Sequence, residues 1–187
     1  EYGFDRPLPV QYAIMMKKLF ITRDLASYAN RGELVVPEII HAAPVTLSLV
    51  TGAAVIWVVL SIGMGVLAAA FKGTWLDRLL MMLGLVGISI PVFWLGQVVN
   101  LITQNRYHDT WLFSWVPGLG YVPLTQNPLE WFRALVIPWS VLAVMFIGIY
   151  SRILRADLVA IMGEDFMRTA RAKGLSPTRV LLRHGLR

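Results

Sequence analysis

Three long apolar stretches divide the chain, and charged or turn-forming residues flank each of them. They cover 45–70, 79–102 and 134–153. Each is about as long as the 20 residues that an α-helix needs to cross the hydrocarbon core of a bilayer. The first contains no charge and is bounded by Lys72. The pattern therefore predicts an all-α, polytopic transmembrane helical bundle with about three spans in this chain.

Residues 1–43 precede the first stretch and mix polar with apolar positions. A short amphipathic helix is predicted over 10–20, with the polar positions Gln11, Lys17 and Lys18. This helix either lies at a membrane interface or packs on the rest of the protein, and both interpretations stay open. Pro44 suits the first turn of the following helix, so the predicted transmembrane domain covers 44–187.

Small residues recur every four positions in the first stretch, at Ser61, Gly65 and Ala69. Residues four apart lie on the same face of a helix. Small residues on one face let two membrane helices approach closely. The spacing therefore predicts close packing of this face against another helix.

The second stretch contains polar residues and a proline. Pro91 removes one helix hydrogen bond, so a kink is predicted there. Gln97 and Asn100 are three apart and share a face that is predicted to avoid lipid. With Ser89 and Pro91, they either line a translocation path or serve helix packing, and the sequence favours neither role.

A loop is predicted over 103–132. It is rich in aromatic residues, which favour the membrane–water interface. These are Tyr107, Trp111, Trp115, Tyr121 and Trp131. An interfacial cap is favoured over a ligand-stacking box. His108 has no accompanying ligand pattern, so no metal site is predicted.

Composition and charge support the membrane interpretation and orient the chain. Hydrophobic residues make up 57% of the sequence and charged residues 15%, whereas soluble domains usually have about 25% charged residues. Residues 152–187 carry eight Lys or Arg and three acidic residues, but 103–132 carries one Lys or Arg. The positive-inside rule therefore predicts that 152–187 is cytoplasmic and that 103–132 and 1–43 are extracytoplasmic, although 1–43 also carries five Lys or Arg.

The sequence carries no recognisable catalytic constellation. It lacks a GxxxxGK[ST] phosphate loop, an HExxH motif and a GxSxG motif, and it contains no cysteine. We therefore predict no catalytic residue, and no cofactor on this chain. If the protein moves a solute, the energy is expected to come from a partner.

The segment 164–177 is polar and basic, and it predicts a helix, a glycine and a second helix. Gly174 suits the left-handed position that ends a helix. Ser176 and Pro177 suit the cap and first turn of the next helix. This segment belongs to the predicted cytoplasmic coupling region 154–187. It is either a docking surface for a partner or a solvated basic end that orients the protein, and both interpretations stay open. A helix-turn-helix DNA reader is disfavoured because the supporting core helices are missing, so no nucleic acid partner is predicted.

The same segment resembles the cytoplasmic loop of the membrane permeases of binding-protein-dependent ABC importers, in the dipeptide/oligopeptide/nickel class. The family's Glu-Ala-Ala, three residues, Gly pattern corresponds to Arg168-Thr169-Ala170, three residues and Gly174, with Arg in place of the leading Glu. Ser89-Ile90-Pro91-Val92-Phe93-Trp94-Leu95 is similar to the kinked span of that class. Leu8-Pro9-Val10-Gln11-Tyr12 is similar to its outer segment.

The resemblance implies the MetI-like ABC importer permease fold, with about six spans, of which this chain would hold the second to the fourth. It implies a multi-pass protein of the bacterial or archaeal inner membrane that carries di- or oligopeptides, or a related small solute such as nickel. The implied partners are a second homologous permease subunit, two cytoplasmic ABC ATPase subunits that bind ATP and Mg, an extracytoplasmic solute-binding protein and the lipid bilayer.

In that family the loop fits a cleft of the ATPase. The implied coupling residues of this chain are Glu164, Asp165, Phe166, Arg168, Thr169, Ala170, Lys173 and Gly174. None of them would be catalytic. The alternative is a non-transporting membrane anchor or assembly protein whose basic end recruits a cytoplasmic partner.

Overall fold

The computed structural model describes residues 5–27, 32–176, 180, 181 and 185. These residues form six α-helices, which are α1 (Leu8–Lys17), α2 (Val35–Ala70), α3 (Trp75–Ser89), α4 (Val92–Leu101), α5 (Pro128–Ile161) and α6 (Asp165–Ala172). Two short π-helices, Lys18–Thr22 and Ile102–Arg106, follow α1 and α4. The predicted all-α membrane fold is confirmed. Helices α2 and α5 are each long and apolar enough to cross a membrane, and α3 and α4 together qualify as a third, broken span.

The first of two compact units covers Glu1–Ser48. Its helix α1 follows Pro7 and begins at Leu8, two residues before the predicted start, and a π-helix, Lys18–Thr22, continues it past the predicted end at 20. The chain then turns at Arg23, which adopts the left-handed conformation with φ 57°. An isolated antiparallel bridge between Ala26 and Leu34 leads into α2.

Helix α2 begins at Val35, well before the predicted start of the first span. Pro44 lies inside this helix, so the prediction that Pro44 starts it is wrong. A proline removes only its own N–H from the helix ladder, and membrane helices tolerate prolines where neighbouring groups satisfy the backbone. Two residues after the proline, the Thr46 hydroxyl donates a hydrogen bond to the Ala42 carbonyl oxygen at 3.2 Å.

The second predicted span is broken, where only a kink was predicted. Helix α3 ends at Ser89, α4 begins at Val92, and their axes differ by 95°. Between them, Ile90 (φ −90°, ψ 123°) and Pro91 (φ −59°, ψ 128°) are extended. A proline disfavours the helical conformation of the residue before it, and it also lacks the N–H that would continue the ladder. Both effects of Pro91 act at the Ile90–Pro91 position, and together they end α3.

The predicted loop 103–132 is shorter than expected, because α5 begins at Pro128. The Asn127 side chain caps this helix by accepting hydrogen bonds from two backbone N–H groups of the first turn, at 3.2 and 3.3 Å. The loop is fixed near its start, where the Gln104 amide donates to the Pro117 carbonyl oxygen at 2.9 Å. At its other end α5 continues to Ile161, beyond the predicted limit at 153. The predicted limits came from hydropathy, which marks only the part of a helix that lies in lipid. A helix can continue beyond that part, as α5 does at both ends.

Helix α2 packs on α5 through small residues. Ser61, Gly65 and Ala69 are all buried. A Cβ atom added to Gly65 would lie 3.0 Å from the Leu154 side chain and from the Ser151 carbonyl oxygen. The predicted close packing of this face is confirmed, because α5 occupies the space that a larger side chain would need.

Candidate functional site

Helix α6 is seated on the end of α5 by apolar side chains on one of its faces. Met167 is fully buried and Ala170 is 9% exposed. Both belong to a cluster with Val180, and the half-buried Ile161 and Met162 at the end of α5 pack against it. These contacts fix where α6 lies relative to α5. Ala170, one of the predicted coupling residues, is thus part of the seat.

The opposite face of α6 and the turn after it are exposed. The remaining predicted coupling residues lie there, and they are Glu164, Asp165, Phe166, Arg168, Thr169, Lys173 and Gly174. Phe166 leaves 53% of its surface exposed next to charged neighbours. Buried aromatic and Arg side chains are enriched among the residues that dominate binding at interfaces. The structure therefore brings one aromatic group and charges of both signs onto a single outward surface, which we call the α6 outer surface.

Local hydrogen bonds fix the ends of α6. The Glu164 carbonyl oxygen accepts from the N–H groups of Met167 (3.1 Å) and Arg168 (3.3 Å). On the outer surface, Arg168 Nη1 lies 3.5 Å from Asp165 Oδ1, and both side chains are largely exposed. An exposed ion pair of this kind contributes about 0–1 kcal/mol, so it leaves both side chains free to exchange partners.

Gly174 ends α6 with φ +81°, as its predicted left-handed role requires. An added Cβ would have no neighbour within 4 Å, so the need for glycine comes from the backbone and not from crowding. The side chain of Arg171 and residues 177–179, 182–184 and 186–187 lie outside the described residues. The prediction of a second helix starting at Pro177 falls on that part of the chain.

In the part of α5 that precedes its contact with α6, the helix packs on α3 through glycines. A Cβ added to Gly148 of α5 would lie 2.3 Å from the Gly84 carbonyl oxygen of α3. One turn further along α3, a Cβ on Gly87 would lie 2.9 Å from the Val144 side chain. The backbones of the two helices therefore approach more closely than any side chain at these positions would permit.

A buried ion pair closes the α3–α5 contact near α6. Arg155 of α5 donates from Nε to Asp77 Oδ1 at 2.5 Å and from Nη2 to Oδ2 at 2.6 Å. The Asp77 side chain is 5% exposed and that of Arg155 26%. Asp77 Oδ2 also accepts the N–H of Gly73 in the turn before α3, at 2.9 Å. Two parallel N–H···O bonds make this a strong and geometrically specific arrangement.

The sequence does not predict this pair. Asp77 lies in a short charged segment between the first two apolar stretches, and Arg155 lies just after the third, so no local pattern joins them. One signal was available, since Asp77 is the only acidic residue between Glu38 and Asp109. A single carboxylate between two spans needs a cationic partner if it is buried, but the sequence cannot say which cation meets it.

The other predicted site residues lie on α3 and α4, away from α6 along the chain. The Ser89 hydroxyl donates to the Leu85 carbonyl oxygen at 2.8 Å, and Pro91 is exposed at the break. Gln97 is exposed and Asn100 half-buried. The two amide residues do not line the groove of about 360 Å³ between α4 and α5, whose lining is otherwise apolar apart from two hydroxyl residues.

Comparison with known proteins identifies a family. The family model described as binding-protein-dependent transport system inner membrane component matches residues 61–187. A Brucella abortus protein named as a peptide transport system permease is 36% identical over the whole chain. A glutathione transport system permease protein of Salmonella typhimurium is 32% identical, and an Escherichia coli protein named for D,D-dipeptide transport is 31% identical, again over the whole chain. The chain spans 56 to 59% of the length of these relatives.

Proposed function

Because the chain belongs to the family of inner membrane components of binding-protein-dependent transport systems, we propose that it is part of the permease subunit of an ABC importer for di- or oligopeptides or a related small solute such as nickel. The names of its relatives, which refer to peptide, dipeptide and glutathione transport, support the peptide class. The protein is a multi-pass protein of the cell membrane.

The observation that carries the proposal is the two-sided construction of α6. Its inner face is buried through Met167 and Ala170, while its outer surface presents Phe166 and Arg168 to a partner. We infer that this partner is a cytoplasmic ATPase subunit, and that the α6 outer surface fits a cleft in it. A solvated basic end that merely orients the chain would not need an apolar seat for a short helix.

The mechanism follows from the continuity of α5. This helix runs without interruption from Pro128 to Ile161, and α6 is seated on its end. When ATP binding closes the two ATPase subunits, α6 moves with them and α5 tilts or shifts as one body. The spans then alternate between outward-open and inward-open states, and solute is driven by the difference in its binding free energy between them.

In this proposal the ATPase subunits supply the chemistry. ATP and Mg bind to them, and no residue of this chain is catalytic. The remaining partners are a second homologous permease subunit and an extracytoplasmic solute-binding protein. Residues 152–187 face the cytoplasm, in agreement with their excess of Lys and Arg.

The test is co-purification of the full-length protein, expressed with its neighbouring genes and extracted in mild detergent. We expect an ATP-hydrolysing subunit to co-purify, and Arg168→Glu to release it, because the substitution reverses a charge on the α6 outer surface. Arg152→Glu is the matched control, since Arg152 is exposed on α5 and is not part of that surface.

Each outcome decides the proposal. Loss of the ATPase subunit with Arg168→Glu but not with Arg152→Glu supports the α6 outer surface as its docking site. If no ATPase subunit accompanies the intact wild-type protein, the anchor or assembly alternative replaces transport. If both variants retain the ATPase subunit, the docking site lies elsewhere and the role of α6 is wrong.

A further inference from the structure

The Asp77–Arg155 ion pair lies at the end of α5 that carries α6. Arg155 is six residues before the end of α5 at Ile161, which is about 9 Å along the helix axis. Ile161 itself packs against the cluster that holds α6 in place. The same two turns of α5 therefore contact α6 on one side and hold the carboxylate of Asp77 on another.

Through Asp77 the pair also holds the start of α3. The carboxylate sits in the first turn of α3 and accepts the N–H of Gly73, which has φ +80° in the turn between α2 and α3. The Asp77 side chain thus connects α5 both to the turn at Gly73 and to helix α3. The Asp77 carboxylate is 5% exposed, so without Arg155 it would be left as a buried charge with no counter-ion.

Beyond the pair, α3 leads directly to the break in the chain. Its contact with α5 continues through Gly84 and Gly87, and the helix itself ends at Ser89. The extended residues Ile90 and Pro91 follow, and α4 departs at 95°. A short extended segment between two helices is the kind of place where a change of backbone angles can be absorbed during a movement.

We propose that Asp77 and Arg155 are a positioning pair that makes α3 follow α5 when a partner moves α6. The inference rests on the proposed function, since a partner must move α6. The bidentate pair resists separation at the α6 end, so a displacement of α5 carries α3 with it and is taken up at Ile90–Pro91. Neither residue contacts ATP or solute in this scheme, and their contribution is mechanical.

The experiment measures whether α3 and the end of α5 that carries α6 move together. The chain contains no cysteine, so single cysteines can be placed for spin labels at Ala160 and Met82. Ala160 is exposed in the last turn of α5, which carries α6, and is not part of the α6 outer surface. Met82 lies on α3 and is 63% exposed. The full-length protein is assembled with its partner permease and ATPase subunits, all free of other reactive cysteines. The label-to-label distance is measured without nucleotide and with ATP under conditions that block hydrolysis.

In the wild-type complex we expect the same distance in both states, because α3 follows the end of α5 that carries α6. In Asp77→Asn and Arg155→Gln we expect the distance to shift on ATP binding by more than about 2 Å, the size of ordinary helix displacements. Arg152→Gln is the matched control, since it removes an exposed positive charge three residues earlier on α5. It is expected to behave as wild type.

A double variant separates this role from simple misfolding. Asp77→Asn with Arg155→Gln leaves no unpaired buried charge, so the complex should assemble like wild type and still show the shift. Unchanged distances in the assembled double variant would overturn the inference while leaving the proposed function intact. Failure of the wild-type protein to bind any ATPase subunit would overturn the proposed function, and this inference with it.

Discussion

Helix α5 contacts α3 and α6 in two different ways. Against α3 the contact is backbone to backbone, with Gly148 on Gly84, and a buried ion pair closes one end. Against α6 the contact is a small apolar cluster around Met167, and Asp165, Phe166, Arg168, Thr169 and Ala172 of the short helix are exposed.

The difference indicates a division of labour. A glycine contact leaves no side chain that could adapt, and the ion pair holds α3 on α5 at the end that carries α6. Helix α6 is held by the burial of apolar side chains on one face, and its outer surface stays exposed for binding a partner. We therefore expect substitutions at the first contact to lower the free energy of unfolding, and substitutions on the α6 outer surface to lower partner binding instead.

The largest effect is expected for Asp77→Asn. It leaves the Arg155 guanidinium, whose side chain is 26% exposed, without its counter-ion, at a cost of about 2–3 kcal/mol because water can reach part of the group. The destabilisation would be measured as the change in the free energy of unfolding of the full-length protein in mixed micelles. Asp157→Asn removes an exposed carboxylate and should stay within about 0.5 kcal/mol of wild type. Equal stabilities of the two variants would mean that the ion pair does not hold the helices together.

Gly148→Ala tests the glycine contact. The new Cβ would meet the Gly84 carbonyl oxygen at 2.3 Å, so the helices must move apart at a cost of about 1–3 kcal/mol. The loss is measured in the same way, as the change in the free energy of unfolding in mixed micelles. Gly63→Ala is the matched control, because nothing lies within 4 Å of its Cβ and alanine favours a helix by up to about 1 kcal/mol. A stabilising Gly148→Ala would show that the close approach is not required.

Gly174→Val tests the turn after α6. A β-branched residue opposes the left-handed backbone, with a local cost of about 1–2 kcal/mol. We expect this variant to insert into the membrane normally, to hydrolyse ATP in the complex and to lose solute uptake into vesicles. Gly174→Asn should recover part of the uptake, because asparagine adopts this conformation more readily. Gly118→Val, where the glycine has open space and no left-handed φ, is the control, and wild-type uptake by Gly174→Val would contradict the coupling role.

The smallest effect on stability is expected for Phe166→Ala. The side chain is 53% exposed, so the free energy of unfolding should change by less than about 0.5 kcal/mol. The affinity for the ATPase subunit should nevertheless fall about tenfold, as for a central aromatic anchor. Leu119→Ala removes an apolar side chain that is 79% exposed in the loop before α5, and should alter neither quantity. A large loss of stability with Phe166→Ala would remove the distinction between the two contacts.

Several features follow from short-range properties of the sequence. The apolar stretches predicted the membrane class, because a bilayer demands long uncharged segments whatever the rest of the fold is. The four-residue spacing of Ser61, Gly65 and Ala69 predicted a packed face, and Gly174 predicted a left-handed turn, because both depend on local geometry. The limits of the helices were predicted poorly. Pro44 was misplaced because a proline fits both the start and the interior of a membrane helix, and α5 begins at Pro128, before its apolar stretch, because helices extend past their apolar part.

What the sequence by itself determined is thus the class of protein, the small-residue face of α2 and the turn at Gly174. Only the tertiary structure decided that Asp77 meets Arg155, 78 positions along the chain, and that Met167 and Ala170 face inward while Phe166 faces out. The physical reason is that a charge or an apolar side chain acquires its partner from the packing of helices. That packing depends on which helix surfaces fit each other, and a local pattern in the sequence does not predict it.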